Sequence, residues 1–281
     1  MRFLVAIYNL NTLINCKDFI ESAVLMTPNY SQVYENDFDL DKAIEFSKEN
    51  NIEPIISINR IFMENELDEI KSFVFKYQKY SFLVSDLGVI EIFKELNLMD
   101  HVIYDCSTMV CNSLDLSYYS KLGLSATSMS NEIPIQDVIK GYNDTKADIM
   151  YQVFGRKLMF YSKRRLVKCY EDYRDIKLNR NNLFIKEEKR EEHMPIIEND
   201  NGYFVYRSYF ISLLDEMKNL SFLKYAYFES LTLKDEELYQ VLKAYKGNNR
   251  GLLGKLDLDI KDGFAYLDTI HVKEKIINEK N

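Results

Sequence analysis

Through residue 148 the chain alternates short β-branched or aromatic runs with amphipathic stretches at a regular pitch. Phe3–Tyr8, Val24–Thr27, Ile55–Ile61, Phe82–Ser85, Val102–Tyr104 and Leu124–Met129 read as strands. Between and after them lie predicted helices at Leu13–Ser22, Leu40–Glu49, Glu66–Tyr77, Gly88–Leu96, Asn112–Leu122 and Pro134–Tyr142. In Glu66–Tyr77, for example, Leu67, Ile70, Phe73 and Val74 fall on one stripe, the spacing of a half-buried helix. The strands are near-continuous apolar runs, as expected when both faces of a parallel sheet are covered. Short connections between such units imply right-handed crossovers.

From Asp148 the texture changes. Ile149–Tyr161 reads as one long strand, followed by the cationic stretch Ser162–Lys168. Phe184–Ile185 and Tyr203–Tyr206 read as a hairpin around the turn signal Asn199-Asp200-Asn201-Gly202. Lys186–His193 reads as a solvated charged loop. Leu213–Leu220 is a predicted helix, Tyr225–Glu229 a strand and Asp235–Tyr245 a helix, with Gly263–Ile270 a further candidate strand. Eight β-α units predict an α/β fold of the (β/α)8 TIM-barrel type, with a basic loop and β-hairpin insertion after the seventh strand. A doubly wound open sheet is the rival. The barrel domain is assigned to residues 1–246, with the insertion at 162–207 inside it and an irregular extension at 247–281.

Composition narrows the function. The 281 residues are 47% hydrophobic and carry a net charge of −8, which excludes a wholly basic nucleic-acid coat but not a local basic patch. With only 9 glycines, the chain has neither G-x-G-x-x-G nor G-x-x-x-x-G-K-[ST], so nucleotide binding by those loops is out. The apolar run Phe3–Ile7 is too short for a signal segment or a membrane span. Cys16, Cys106, Cys111 and Cys169 are widely spread, as expected of reduced thiols in a cytoplasmic protein. Neither a membrane nor DNA is expected as a partner.

Candidate chemistry is sparse. His101, His193 and His271 form no H-E-x-x-H, no G-x-S-x-G elbow occurs, and Cys106-x4-Cys111 lacks a partner pair for a structural metal. No metal ligands are therefore assigned. Asp86, Asp105 and Glu132 lie at or just past C-terminal strand ends, where barrel enzymes place acid–base groups, and Asn59 joins them as a polar residue of the mouth. Loop capping explains the same positions equally well. The clearest local signal is electrostatic. Nine basic residues against three acidic ones between Gly155 and Arg180 make that segment +6, with Tyr161, Tyr170 and Tyr173 interleaved. Positive charge with stacking rings suits RNA, and Lys157, Tyr161, Lys163, Arg164, Arg165 and Lys168 are the candidate contacts. A solvated basic loop is the competing reading.

The run from Val153 through Phe154-Gly155 and Met159-Phe160-Tyr161-Ser162-Lys163 to Val167 resembles the signature of the collagenase-like peptidase family U32. Other pieces follow in the same order. Ile56–Phe62 with Glu66-Leu67-Asp68 resembles the family's third strand and acidic helix, and Leu83–Asp86 its fourth strand. Ser130-Asn131-Glu132-Ile133 stands where the family has A-R-E-L, Met194–Gly202 before its hairpin turn, and Gly263–Tyr266 at its G-F tail. The resemblance implies a barrel-like fold. It also implies one of several activities: peptide hydrolysis of unknown catalytic type, ubiquinone hydroxylation, or prephenate-dependent 5-hydroxylation of the tRNA wobble uridine. Active members hold an iron–sulfur cluster through cysteines, two of them seven residues apart inside the signature. Here those positions are Leu158 and Arg165, so a cluster-free chain is expected. The resemblance is to a short paralogue that accompanies a longer cluster-bearing partner, with tRNA as its ligand and prephenate as co-substrate of the complex. A barrel acting only as a binding partner is the further alternative.

Overall fold

The computed structural model describes residues 1–180, 183–189 and 191–268. Eight parallel strands close into a ring: β1 (Arg2–Ile7), β2 (Ser22–Leu25), β3 (Glu53–Ile58), β4 (Ser81–Val84), β5 (Val102–Tyr104), β6 (Ala126–Ser128), β7 (Ile149–Gly155) and β13 (Tyr225–Phe228). The ring is sealed because β13 pairs in parallel with both β1 and β7. The fold is a TIM-barrel-like α/β barrel, with further strands outside the ring.

Helices α1 (Leu10–Cys16), α2 (Leu40–Glu49), α3 (Leu67–Lys76), α4 (Leu87–Glu95), α5 (Ser113–Lys121) and α6 (Ile135–Thr145) follow the first six strands, as the periodicity predicts. Side-chain caps set several of their starts. Asn9, Asp39, Asp86 and Asn112 each accept backbone N–H bonds of the first turn, which satisfies donors that the helix itself leaves orphaned. No helix among the described residues is long and apolar enough to cross a membrane.

Strand pleating divides the apolar residues into two cores. Phe3, Val5, Ile7, Leu25, Ile56, Phe82 and Val84 face the helices. Leu4, Ala6, Val24, Ile55, Leu83, Ile103, Ala126, Met150 and Tyr225 fill the barrel interior.

The second half departs from expectation in four places. The run Ile149–Tyr161 is two strands, β7 and β8 (Leu158–Ser162), because Gly155 turns the chain at φ +116°. The predicted basic loop contains a helix, α7 (Leu166–Arg174). Its N-terminus is capped from a distance by Glu198, whose carboxylate accepts from the N–H groups of Val167 and Lys168. The hairpin is β10 (Met194–Asn199) with β11 (Gly202–Tyr206), while Phe184–Ile185 forms β9 on the far side of β10. These strands make a separate sheet in the order β8-β11-β10-β9. The predicted helix Leu213–Leu220 shrinks to a 3-10 turn at Leu214–Glu216 after β12 (Phe210–Ser212). The passage from β7 to β13 is thus made by the insertion rather than by a regular crossover helix.

After β13 come α8 (Asp235–Gly247), α9 (Arg250–Leu253) and β14 (Ile260–Lys261), which pairs with β12. Gly263–Leu267 is turn rather than strand, and the rest of that expectation from Thr269 lies outside the described residues.

Candidate active site at the barrel mouth

Toward and past the C-terminal strand ends, the interior positions change from apolar to polar. Two residues beyond Ala6 stands Tyr8, beyond Ser57 Asn59, beyond Ile103 Asp105, beyond Met150 Gln152, and beyond Tyr227 Glu229. All five line a cavity of about 580 Å³ at the mouth of the barrel. The insertion sheet roofs part of it: Phe204 and Tyr206 of β11 pack into the same cluster as the barrel interior, and Tyr161 stacks on Phe204 at 4.6 Å.

Glu229 lies at the centre of the polar groups. Its Oε1 accepts from the Tyr8 hydroxyl at 2.8 Å and the Leu231 N–H at 2.9 Å, and its Oε2 from the Tyr227 hydroxyl at 2.9 Å. Burial raises the proton affinity of the carboxyl above its ordinary value, and the three donors offset only part of that. Burial also pushes the Tyr8, Tyr206 and Tyr227 phenols well above the usual range, so all three remain protonated donors. The cluster can hold a carboxyl poised for proton transfer beside a ring of hydroxyl donors.

Of the residues that the sequence singles out, Asn59, Asp86 and Asp105 line this cavity. Asn59 accepts from the Gln32 N–H at 2.8 Å. Asp86 caps α4 through Gly88 and accepts from the Phe62 N–H at 3.3 Å. Asp105 accepts from the Ser128 hydroxyl at 3.0 Å and the Ser107 N–H at 3.2 Å. Glu132 does not line the cavity. It faces Arg207 at 3.3 Å instead.

The candidate RNA contacts divide in two. Lys157 and Tyr161 line the cavity: Lys157 is only 8% exposed, and Tyr161 donates to the Asn201 carbonyl and accepts from the Ile61 N–H. Neither presents itself on the outer surface as a backbone contact would. Arg164, Arg165 and Lys168 are exposed, and Lys163 is half-buried. Arg165 pairs with Asp200 at 3.2 Å, Lys168 with Asp172, and Lys163 with Glu66 at 3.2 Å. Tyr170 and Tyr173 are exposed on α7.

Sequence reasoning missed Glu229, Tyr8, Tyr206, Tyr227 and Gln152. Glu229 closes a predicted strand, so the same strand-end rule that selects Asp105 would have selected it.

A four-thiolate cluster does not fit these residues. Leu158 lines the cavity and Arg165 is held by Asp200. Cys16 and Cys106 are buried, Cys111 bonds the Thr108 carbonyl, and Cys169 is exposed on α7. Among the described residues, no three His, Cys, Asp or Glu side chains are grouped to hold a metal ion.

The sequence model of peptidase family U32 matches residues 32–255. The chain is 23% identical over 191 residues to a Bacillus subtilis protein named tRNA hydroxylation protein P2, covering 65% of this chain and 62% of that protein. It is 28% identical over 113 residues to an uncharacterized protease of Methanocaldococcus jannaschii, covering 39% of this chain and 27% of that protein. The chain thus spans less than two thirds of either relative. A solved U32 peptidase superposes with a TM-score of 0.52 at 10% identity, covering 82% of this chain and 92% of that one.

Proposed function

Given that the chain belongs to peptidase family U32, we propose that it is a cluster-free subunit that supports 5-hydroxylation of the tRNA wobble uridine together with a longer, cluster-bearing paralogue. The observation that carries this reading is the similarity to tRNA hydroxylation protein P2 along most of the chain. The exposed cations and tyrosines of α7 and its approach supply a surface on which an RNA backbone could lie beside the mouth. The lack of thiolates at positions 158 and 165 supports assigning redox chemistry to the partner rather than to this chain. The barrel would then contribute binding and, through Glu229, Asp105 and Asp86, proton handling.

Peptide hydrolysis is the second reading, favoured by the family's name and the archaeal relative. Cys106 lines the mouth, but burial raises its thiol, and among the described residues no histidine lines the cavity to serve as its base. The deciding experiment is nucleoside mass spectrometry of tRNA from a deletion strain, with a pull-down on the tagged chain. Loss of the 5-hydroxyuridine-derived nucleoside and co-purification of a longer family member are expected. Unchanged tRNA modification in the deletion strain overturns the proposal.

A further inference from the structure

The rim of the mouth is apolar where the interior is polar. Ile61 after β3, Leu87 at the start of α4, Met109 after β5, and Met159 and Phe160 of β8 all line the cavity, yet each is 44–72% exposed. Among the described residues that line the cavity, only Thr108 is exposed beside these five. Leu114 and Tyr118 continue the strip along α5, where their spacing of four puts them on one helix face, 81% and 60% exposed. The seven side chains together expose on the order of 900 Å², more than the roughly 300–600 Å² of the largest apolar patch on an ordinary monomer. One side of a stable protein interface buries about 800 Å², so this rim supplies enough area for one.

Its chemistry selects protein over RNA. None of the six charged side chains that line the cavity is exposed, and its three cations turn inward to protein acceptors. Arg60 pairs with Glu66 at 2.6 Å, Arg156 donates to the Arg207 carbonyl at 2.9 Å, and Lys157 meets the Ser107 carbonyl at 3.5 Å. A phosphate backbone needs exposed cations, and among the described residues the cavity lining offers none. Methionine and aromatic side chains with little charge are the composition of a protein interface core. Met109 and Met159 add unbranched chains that adapt to an opposing surface.

We infer that the rim is a protein-docking face and that the longer paralogue covers the mouth there, making the cavity a chamber shared by two chains. The partner's identity rests on the function proposed above, whereas the face is a property of this chain alone. With redox chemistry on the partner, Glu229 exchanges protons with it only across this opening, which places the partner's reacting groups at the mouth. An apolar seal also excludes water, and electrostatic interactions inside a dry chamber are stronger. No α7 residue lines the cavity, so the cations of that helix stay available to tRNA.

The test co-expresses the chain with the longer family member, purifies both, and titrates one into the other by calorimetry. Met109→Glu combined with Leu114→Glu should weaken the complex at least about tenfold, the loss expected at the core of an interface. Melting temperature and tRNA affinity of the isolated chain should not change. Phe75→Glu is the control, since Phe75 is 61% exposed near the far end of α3 and does not line the mouth. It should leave the complex intact. Leu114→Ala, which removes apolar area without adding charge, repeats the test if the glutamates lower the melting temperature. A wild-type complex that the rim variants leave unweakened overturns this docking face and spares the paralogue reading. No complex with the wild type overturns that reading, and the partner assigned here falls with it. An isolated chain that is a dimer in light scattering, and a monomer with the rim substitutions, would give the face to a second copy and overturn the inference. Rim variants that lose tRNA affinity while keeping the complex would give it to RNA, with the same consequence.

Discussion

Gly155 lies so close to Glu229, where the seventh and eighth strands of the ring meet, that a Cβ on Gly155 would overlap the Glu229 carbonyl oxygen and stand 2.6 Å from the Glu229 Cβ. The glycine of the signature therefore has a physical reason to be there. Its positive φ ends β7 and lets the backbone of the central carboxylate approach. Gly155→Ala combines backbone strain with overpacking, each about 1–3 kcal/mol, and should destabilise the fold by roughly 2–6 kcal/mol in urea denaturation. An alanine variant as stable as the wild type would contradict the close approach.

Glu229 should leave a signature in the pH dependence of stability. Burial raises its folded-state proton affinity above the ordinary value of 4.5. Its contribution is therefore fully present below pH 4.5 and is lost as pH rises through the folded value. In Glu229→Gln that component disappears. Denaturation of both proteins across pH 4–8 should show the wild type losing stability relative to the variant as pH rises. Parallel curves would mean that the carboxyl titrates as it does in the unfolded chain.

The opposite sign holds for Glu66. A hydrogen bond from Arg60, aided by the Met63 N–H and Lys163, holds its carboxyl down at about 2. Stability from this group is present above pH 4.5 and is lost as pH falls toward 2. The pair also ties the insertion to the barrel, since Lys163 follows β8 while Arg60 follows β3. Glu66→Gln should cost roughly 1.5–3 kcal/mol at pH 7, the range for hydrogen bonds to charged groups, and little near pH 2. A loss that persists undiminished at pH 2 would point to packing instead.

Purified protein should be colourless and hold no stoichiometric iron or acid-labile sulfide, because Leu158 and Arg165 occupy the positions of two thiolate ligands in cluster-bearing relatives. Iron and sulfide assays check this. A brown protein with about four irons per chain, as a [4Fe–4S] cluster requires, would mean that the remaining cysteines ligate together.

The ring of strands was legible because its cue is local: apolar runs at a regular pitch, alternating with amphipathic stretches. The insertion was less so. The cap of α7 comes from Glu198, thirty-one residues beyond Val167, and no window around Leu166 contains it. The polar groups of the mouth divided the same way. Asp105 stood out as a charged residue after a short strand, whereas Tyr8, Tyr206 and Tyr227 resemble ordinary core aromatics until ring closure and the returning hairpin bring them together. Lys157 is misplaced by the sequence pattern because charge along a chain does not report direction. It shares the basic run with Arg164, but the turn at Gly155 directs the chain across the mouth, and Lys157 is buried there.

That division makes Arg164 the sharpest probe of the basic segment. Lys163 is committed to Glu66, Lys168 to Asp172, and Arg165 to an exposed pair with Asp200. Arg164 is exposed, and no carboxylate pairs with it among the described residues. If this surface carries tRNA, Arg164→Glu should weaken association and lower the slope of log affinity against log salt by roughly 0.7–0.9. Its stability should stay within about 0.5 kcal/mol of wild type, as for most surface substitutions. Lys163→Glu should instead lower both binding and melting temperature, because it places a second carboxylate beside Glu66. Arg165→Glu breaks only an exposed pair and should change stability by at most about 1 kcal/mol. Gel-shift titrations over a salt series, with melting curves on the same preparations, separate these outcomes. Unchanged tRNA affinity in both Arg164→Glu and Lys168→Glu would leave the basic segment a solvated surface and take away the structural support for the RNA reading.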